Sequence, residues 1–480
     1  MRLRSMRFAF AFSSVAFLAG CTAYPSKVRP VKTQLELGVD EATPIVYRAE
    51  STDGKNELLA REEQGRLDQL QGRYRESADA YQKAMGFCAM KQESSPVVSV
   101  DDTLRNSLAA TYGNDLGLNY PVTAFDQMML YTLDAFNRLA LGEWDNFGVD
   151  IRNLVTWRNE ANEHIEQDIE MLNKELGTKR NDFLESSQYT SLMNKEKEFS
   201  QGVKRSTDNI YSLFLIALYH EIIGDESNAL IAYKDIERIR PGMPAVQDGI
   251  SRCEGKTALA PGEGEIVVFL EEGFIPPKRN YRFQYGGLFT TVVLDLPYYS
   301  AFDCLPYEEG GPLVISSGGR GVAMASPLCD FAPLAVRTHE ERLRGILARQ
   351  ISRTSVKAIT RGVFTGMALA GAYCAANGIG DDRGYTQTAL LAVGIAGSIG
   401  MAIMAAATEQ ADLRSWLLLP RQVQIARFPM KAGKHTLTLS SSGMKEDVVA
   451  EVKPGTKTIV YCTAVPNVMK AFSVCADKIK

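Results

Sequence analysis

"TALLAVGIAGSIGMAIMAAATEQ", Thr388 to Gln410, decides how the second half of this chain folds. No charged residue falls between Arg383 and Glu409. An uncharged apolar run of this length reads as a membrane span or as a helix covered on every side. Its glycines point to close packing: Gly394, Gly397 and Gly400 recur every three residues, which lets another helix approach to backbone contact. A first arm precedes it in "GVFTGMALAGAYCAANG", where Gly362, Gly366, Ala370 and Cys374 recur every four. "IGDDRGYTQ" supplies the turn, so the two arms read as a helical hairpin. From Val363 to Ala376 the first arm is short for a bilayer. We expect the hairpin to pack against its own domain or in an oligomer; direct membrane insertion is the open alternative.

Outward from the hairpin, the sequence changes period. "EIVVFLE", "YRFQY", "TTVVLDL" and "PLVIS" lie before it, and "RQVQIARFP", "HTLTLS", "DVVAEVK" and "TKTIVYCT" after it. Thr436, Thr438 and Ser440 alternate with Leu437 and Leu439, the pattern of a half-buried strand. Residues 262–480 therefore read as a small antiparallel β-sheet or sandwich, interrupted by a helical insertion at about 337–416. "SSGGRG", Ser316 to Gly321, lacks the Gly-Lys-Ser/Thr of a phosphate loop and reads as a glycine turn. Asp412 and Arg414 stand two apart at the hairpin's exit, spaced to pair structurally.

Residues 36–258 carry a helical period. "GRLDQLQGRYRESADAYQKAM" places Gly65, Gly72, Tyr74, Tyr81 and Ala84; "IALYHEIIGDESNALIAYKDIERIRPG" places Ala217, Gly224, Ala229, Tyr233 and Pro241. Gly72 and Gly224 sit where a helix stops and turns. Ala229 and Tyr233, four apart, share a helix face, and Pro241 ends the second helix. These spacings resemble the tetratricopeptide repeat, in which small residues bring paired helices together and an aromatic fills the next groove. A third copy has Gly142 and Trp144 at the turn but Phe147 where a small residue is expected. Between copies, Ile165, Ile169, Leu172 and Leu176 form an apolar seam on a charged helix. His164 and His220 read as surface and structural residues.

The whole is α+β in two domains. The 480 residues carry a net charge of −4 with no basic pole, which excludes an electrostatic footprint for nucleic acid. Residues 1–20 have the layout of a signal peptide: arginines in "MRLRSMR", then the apolar "FAFAFSSVAF". "LAGC", Leu18 to Cys21, resembles the bacterial lipobox. That resemblance implies a diacylglycerol thioether and an N-acyl chain on Cys21, and Thr22 in place of Asp implies the outer membrane, facing the periplasm. Residues 21–35 then read as a lipidated tether. Of the remaining seven cysteines, Cys304/Cys329 and Cys462/Cys475 are the pairings to test first, whereas Cys88, Cys253 and Cys374 read as small buried hydrophobes. No metal motif, thiol-redox motif or G-x-S-x-G elbow appears.

"GEIVVFLEEGFIPPK", "ILARQISRTSVKAI", "ATEQADLRSWLLLPRQVQIARF" and "AGKHTLTL" resemble a family of uncharacterised bacterial lipoproteins that join tetratricopeptide-like helices to a C-terminal domain. The strongest signature is Ala411 to Trp416 after the Ala-rich hairpin. The resemblance implies no active site, cofactor or metal. With the lipobox and the helical repeats, the function we expect is a lipid-anchored, non-catalytic scaffold that binds an envelope protein partner. A membrane-inserting or pore-like homo-oligomer built through the hairpin is the alternative, and an enzyme is the third reading.

Overall fold

The structure, a computed structural model, describes residues 24–38, 55–94, 115–178, 187–285, 292–304, 311–377, 385–408 and 410–476. The chain is α+β: helices come first and strands second, with a long helical hairpin inside the strand region. The expected signal peptide and Cys21 lie outside the described residues.

Residues 24–35 are not a tether. α1 (Tyr24–Glu36) is a helix despite Pro30. Tyr24, Val28, Val31 and Leu35, spaced 4, 3 and 4, bury one stripe in the main core, and that burial offsets the hydrogen bond a mid-helix proline removes.

Three helix pairs follow: α2 (Glu57–Leu70) with α3 (Tyr74–Ser94), α4 (Ala124–Ala140) with α5 (Trp144–Thr178), and α7 (Ile210–Ile222) with α8 (Glu226–Ile239). α6 (Ser187–Ser200) precedes the last pair and α9 (Pro244–Cys253) follows it. The three turns share one geometry. Gly72, Gly142 and Gly224 have φ of 78°, 69° and 76°. The next residue donates its N–H to a carbonyl five positions back: Arg73 to Asp68, Glu143 to Arg138, Asp225 to His220, each at 2.8 Å. This closes the orphan carbonyls of a helix end in a left-handed cap. The third turn is thus regular although Phe147 breaks the small-residue pattern; the ring is buried edge-on against Tyr219. Ala84, Ala217 and Ala229 are buried, and Pro241 is exposed just past α8. A Cβ on Gly65 would stand 2.4 Å from the Tyr81 ring, and one on Gly249 2.4 Å from Tyr233. Each tyrosine therefore fills a groove that only glycine leaves open, and Gly249 is the member the sequence reading missed. On α5, Ile165 packs on the main core; the side chains of His164, Ile169, Leu172 and Leu176 lie outside the described residues.

β1 (Glu263–Glu272) is the middle strand of a five-stranded sheet with β10 (Lys457–Val465), β11 (Val468–Cys475), β7 (Gln422–Lys431) and β6 (Ser326–Asp330), in the order β11-β10-β1-β7-β6. β1 and β10 run parallel, with Val267 opposite Ile459 and Phe269 opposite Tyr461. The sheet is mixed, not antiparallel as expected, because β1 and β10 are joined by a connection long enough to reverse direction. A four-stranded antiparallel sheet, β5-β4-β8-β9, packs on one face: β4 (Val314–Ser317), β5 (Arg320–Met324), β8 (Gly433–Ser441) and β9 (Met444–Val452). Ile266, Val268 and Leu270 point into this sandwich, and Val267 and Phe269 point to the helices. One buried core thus crosses the boundary expected at 258–262. Gly318 and Gly319, both in the left-handed region, form the two-residue turn of β4–β5, so "SSGGRG" is a hairpin turn.

β2 (Arg279–Tyr285) and β3 (Val292–Tyr298) form a separate ribbon. Phe283, Leu294 and Leu296 pack on Leu343, Ile346 and Leu347 of α10 (Phe331–Ala376) and on Leu192 of α6. The insertion begins at Phe331, not 337, because the Asp330 side chain caps the helix on the Ala332 N–H. α11 (Tyr385–Thr408) completes the hairpin.

All seven described cysteines are free thiols. Cys462 lies opposite Ala471, and Cys475 opposite Thr458. Four residues of strand separate them, about 13 Å, beyond disulfide reach. Cys304 and Cys329 are buried and unbridged, and burial pushes both thiols up to about 12. Cys88 is buried as expected, while Cys253 and Cys374 are only half-buried.

Candidate interaction surfaces

Buried ion pairs join the helices to the sheet, and they lie on the helix-facing side of β1. Arg66 of α2 meets Glu271 at 2.5 Å and also donates to the Leu418 carbonyl and the Tyr461 hydroxyl. The Tyr211 hydroxyl donates to the other Glu271 oxygen at 2.7 Å. Arg427 of β7 donates to Glu265 at 2.8 and 2.9 Å and to Glu221 of α7 at 3.1 Å. Lys457 reaches both carboxylates. Burial would raise the Glu221 carboxyl, but Arg427 and Lys457 pull it down to about 2. Such pairs resist separation because removing one partner strands a buried charge.

A third junction lies beside the hairpin's root. Arg414 pairs with Asp412 at 2.7 Å, as its spacing implies, and donates to Asn56, the Leu118 carbonyl and the Asp115 carbonyl. Asp115 in turn meets Arg353 of α10 at 2.7 Å. Glu63 accepts the Leu417 and Leu418 N–H groups and the Tyr24 hydroxyl. Tyr74, half-buried, stands edge-on to Phe472 of β11 at 5.2 Å. Nearby, Trp416, His339, Asp126, Tyr120 and Tyr299 border a cavity of about 30 Å³, room for roughly one water. Glu196, buried, accepts the Tyr299 N–H and is pushed up to about 8 by that burial; His339, 3.8 Å away, is pushed down to about 3. Both are therefore neutral at pH 7.

Two surfaces remain. The first is an open cleft of about 440 Å³ where α5, α8 and α10 meet the α6–α7 connection. Lys204, Arg205, Arg238 and Arg337 line it against Asp208 and Glu341, an excess of positive charge. A second depression of about 360 Å³ shares Arg337 and Glu341 and continues along α6.

The second surface is the hairpin. The proximal half of α10 is held by the body: Gln350 donates to the Asp295 carbonyl at 2.7 Å, and Lys357 is buried. From Gly362 onward the arms pack on each other. A Cβ on Gly394 would stand 2.2 Å from the Ala368 nitrogen, and one on Gly397 2.3 Å from the Phe364 ring. Thr365 and Ser398 hydroxyls meet at 3.1 Å across the seam. Gly362 and Gly366, expected at that seam, instead face outward with nothing within 4 Å of an added Cβ. Four-residue spacing identifies a row, and here the row on the opposite side, through Phe364 and Ala368, took the contact. The surroundings of Gly400 lie outside the described residues. Nor does the hairpin bury itself against its own domain: Val363, Leu369, Tyr373, Val393, Ile395 and Ile399 are all exposed, Leu369 at 67%.

Among the described residues no helix is long and apolar enough to cross a membrane, and no cluster of three His, Cys, Asp or Glu is placed to hold a metal. No protein-family model matches the chain, and no curated protein or solved structure is significantly similar to it.

Proposed function

We propose that this chain is a lipid-anchored, non-catalytic scaffold of the bacterial envelope, held at the outer membrane through Cys21 and facing the periplasm. Its helix pairs, tetratricopeptide-like in spacing, present the basic cleft to an acidic segment of an envelope protein. The observation that carries this reading is the cleft itself: four cationic side chains against two carboxylates, where α5, α8 and α10 meet the α6–α7 connection. A charged, open surface favours fast and selective docking.

A photo-crosslinking residue at position 238, in the full chain in its own envelope, tests the reading. It should capture one envelope protein, and Lys204→Glu with Arg337→Glu should abolish capture. Equal capture by the same probe at Ile231, exposed on α8 outside the cleft, would reject it.

A further inference from the structure

We infer that the α10–α11 hairpin lies in lipid, within the leaflet that holds the N-terminal anchor. Three observations carry it. The first is the distribution of exposure. At 100° per residue, the described exposed positions of each arm spread over about half of its circumference, the half away from the seam, and all are apolar up to Ala376. A helix pair that is apolar all round is covered all round. A second copy docked by a two-fold axis covers one side of such a pair, whereas acyl chains cover the whole circumference.

The second observation is where charge stops. Arg361 is the last charge on α10, Asp381, Asp382 and Arg383 lie in the connection, and Glu409 follows α11. The uncharged stretch is therefore bounded by charge at both ends of the hairpin. Bounded in this way, the hairpin fits an arrangement along the leaflet with its charged ends at the headgroups. A helix about 10 Å thick fits a leaflet whose hydrocarbon is about 15 Å deep. Backbone groups are satisfied within each helix, and the Thr365 and Ser398 hydroxyls satisfy each other at the seam.

The third observation is where the chain leaves the described body. Tyr24 touches Glu63, which holds Leu417 and Leu418 just after the hairpin, and Arg414 there shares Asp115 with Arg353 of α10. Cys21 is three residues upstream of Tyr24, within roughly 10 Å of chain. Tyr24, where the described chain begins, is therefore linked through Glu63 to the segment that leads out of the hairpin. This third point rests on the lipid-anchored reading of Cys21; the first two do not.

The test uses the mature chain with Cys21→Ser, which no acyl chain can hold, and vesicles of phosphatidylethanolamine and phosphatidylglycerol. In flotation gradients most of the chain should rise with the vesicles. Val393→Glu with Ile395→Glu should lower that fraction at least about tenfold while the far-ultraviolet spectrum and thermal midpoint stay those of the parent. A parent that stays at the bottom overturns the inference. So does a detergent-free oligomer of defined mass that ignores vesicles and falls to monomer in the Glu variants, because a second copy then covers the hairpin. Acyl labelling of the wild-type chain in cells is read separately: flotation without acylation keeps this inference and rejects the anchor.

Discussion

Strand β1 and helix α11 invert the usual relation between charge and burial. β1 carries Glu263, Glu265, Glu271 and Glu272, and all but its first residue are buried. α11 carries no charge, and its Val393, Ile395 and Ile399 are about half exposed. Apolarity alone therefore does not decide what is buried; the neighbours do. Glu265 and Glu271 are tolerated because Arg427, Lys457 and Arg66 arrive from other elements to pair them. α11 has a single neighbour of comparable length, the distal arm of α10, and one helix can cover only one side of another.

The comparison breaks first, and most severely, at Arg427. Arg427→Met takes the shared guanidinium from the buried Glu221 and Glu265, leaving Lys457 between them and Arg252 on Glu265, and should cost about 3 kcal/mol, read as a lower urea midpoint. Adding Glu221→Gln, which leaves Glu265 to Lys457 and Arg252, should restore part of it. If the single variant loses nothing, the ion pairs do not hold the body together.

A smaller effect is expected at the hairpin seam. Gly394→Ala puts a methyl into the Ala368 backbone and should cost about 1–3 kcal/mol. Hydrogen exchange should show it as faster opening of α11 with the β-sheet unchanged, since the hairpin's distal part is supported only by itself.

Glu196 sharpens the comparison through pH. Its folded carboxyl titrates at about 8 against an ordinary 4.5, so the folded state holds the extra proton between those values. The stability it contributes is full below pH 4.5 and is lost as pH rises through 8. Between pH 5.5 and 7.5 the loss should be on the order of 1–3 kcal/mol. Glu196→Gln, which keeps an acceptor for the Tyr299 N–H, should flatten the urea midpoint over that range relative to wild type. An unchanged slope would mean that Glu196 is ionised in the folded protein.

The smallest effect belongs to the outward glycine row. Gly362→Ala meets open space in a helix and should stabilise by up to about 1 kcal/mol. A clear loss in the isolated, unacylated chain would show that Gly362 packs against something in solution.

Local chemistry was legible wherever a residue acts on its immediate neighbours. Gly72 and Gly224 were readable as helix ends because a left-handed cap is a property of one turn, and Leu437 and Leu439 as a buried strand face because the period of two is local. Pairing across distance was not. The prolines of residues 24–35 spoke for a linker, and only the burial of Val28 and Val31 in a core built by later residues made that segment a helix. The parallel register of β1 on β10, the glycine at 249 beneath Tyr233, and the separation of Cys462 from Cys475 each depend on a partner far away in sequence. The same holds at the hairpin. Its composition determined that two apolar arms would pair through small residues, but which small row meets the other arm follows from the rotation at which α10 leaves the body. That rotation is set by Gln350, Arg353 and the β2–β3 ribbon, contacts that form only when the chain is folded.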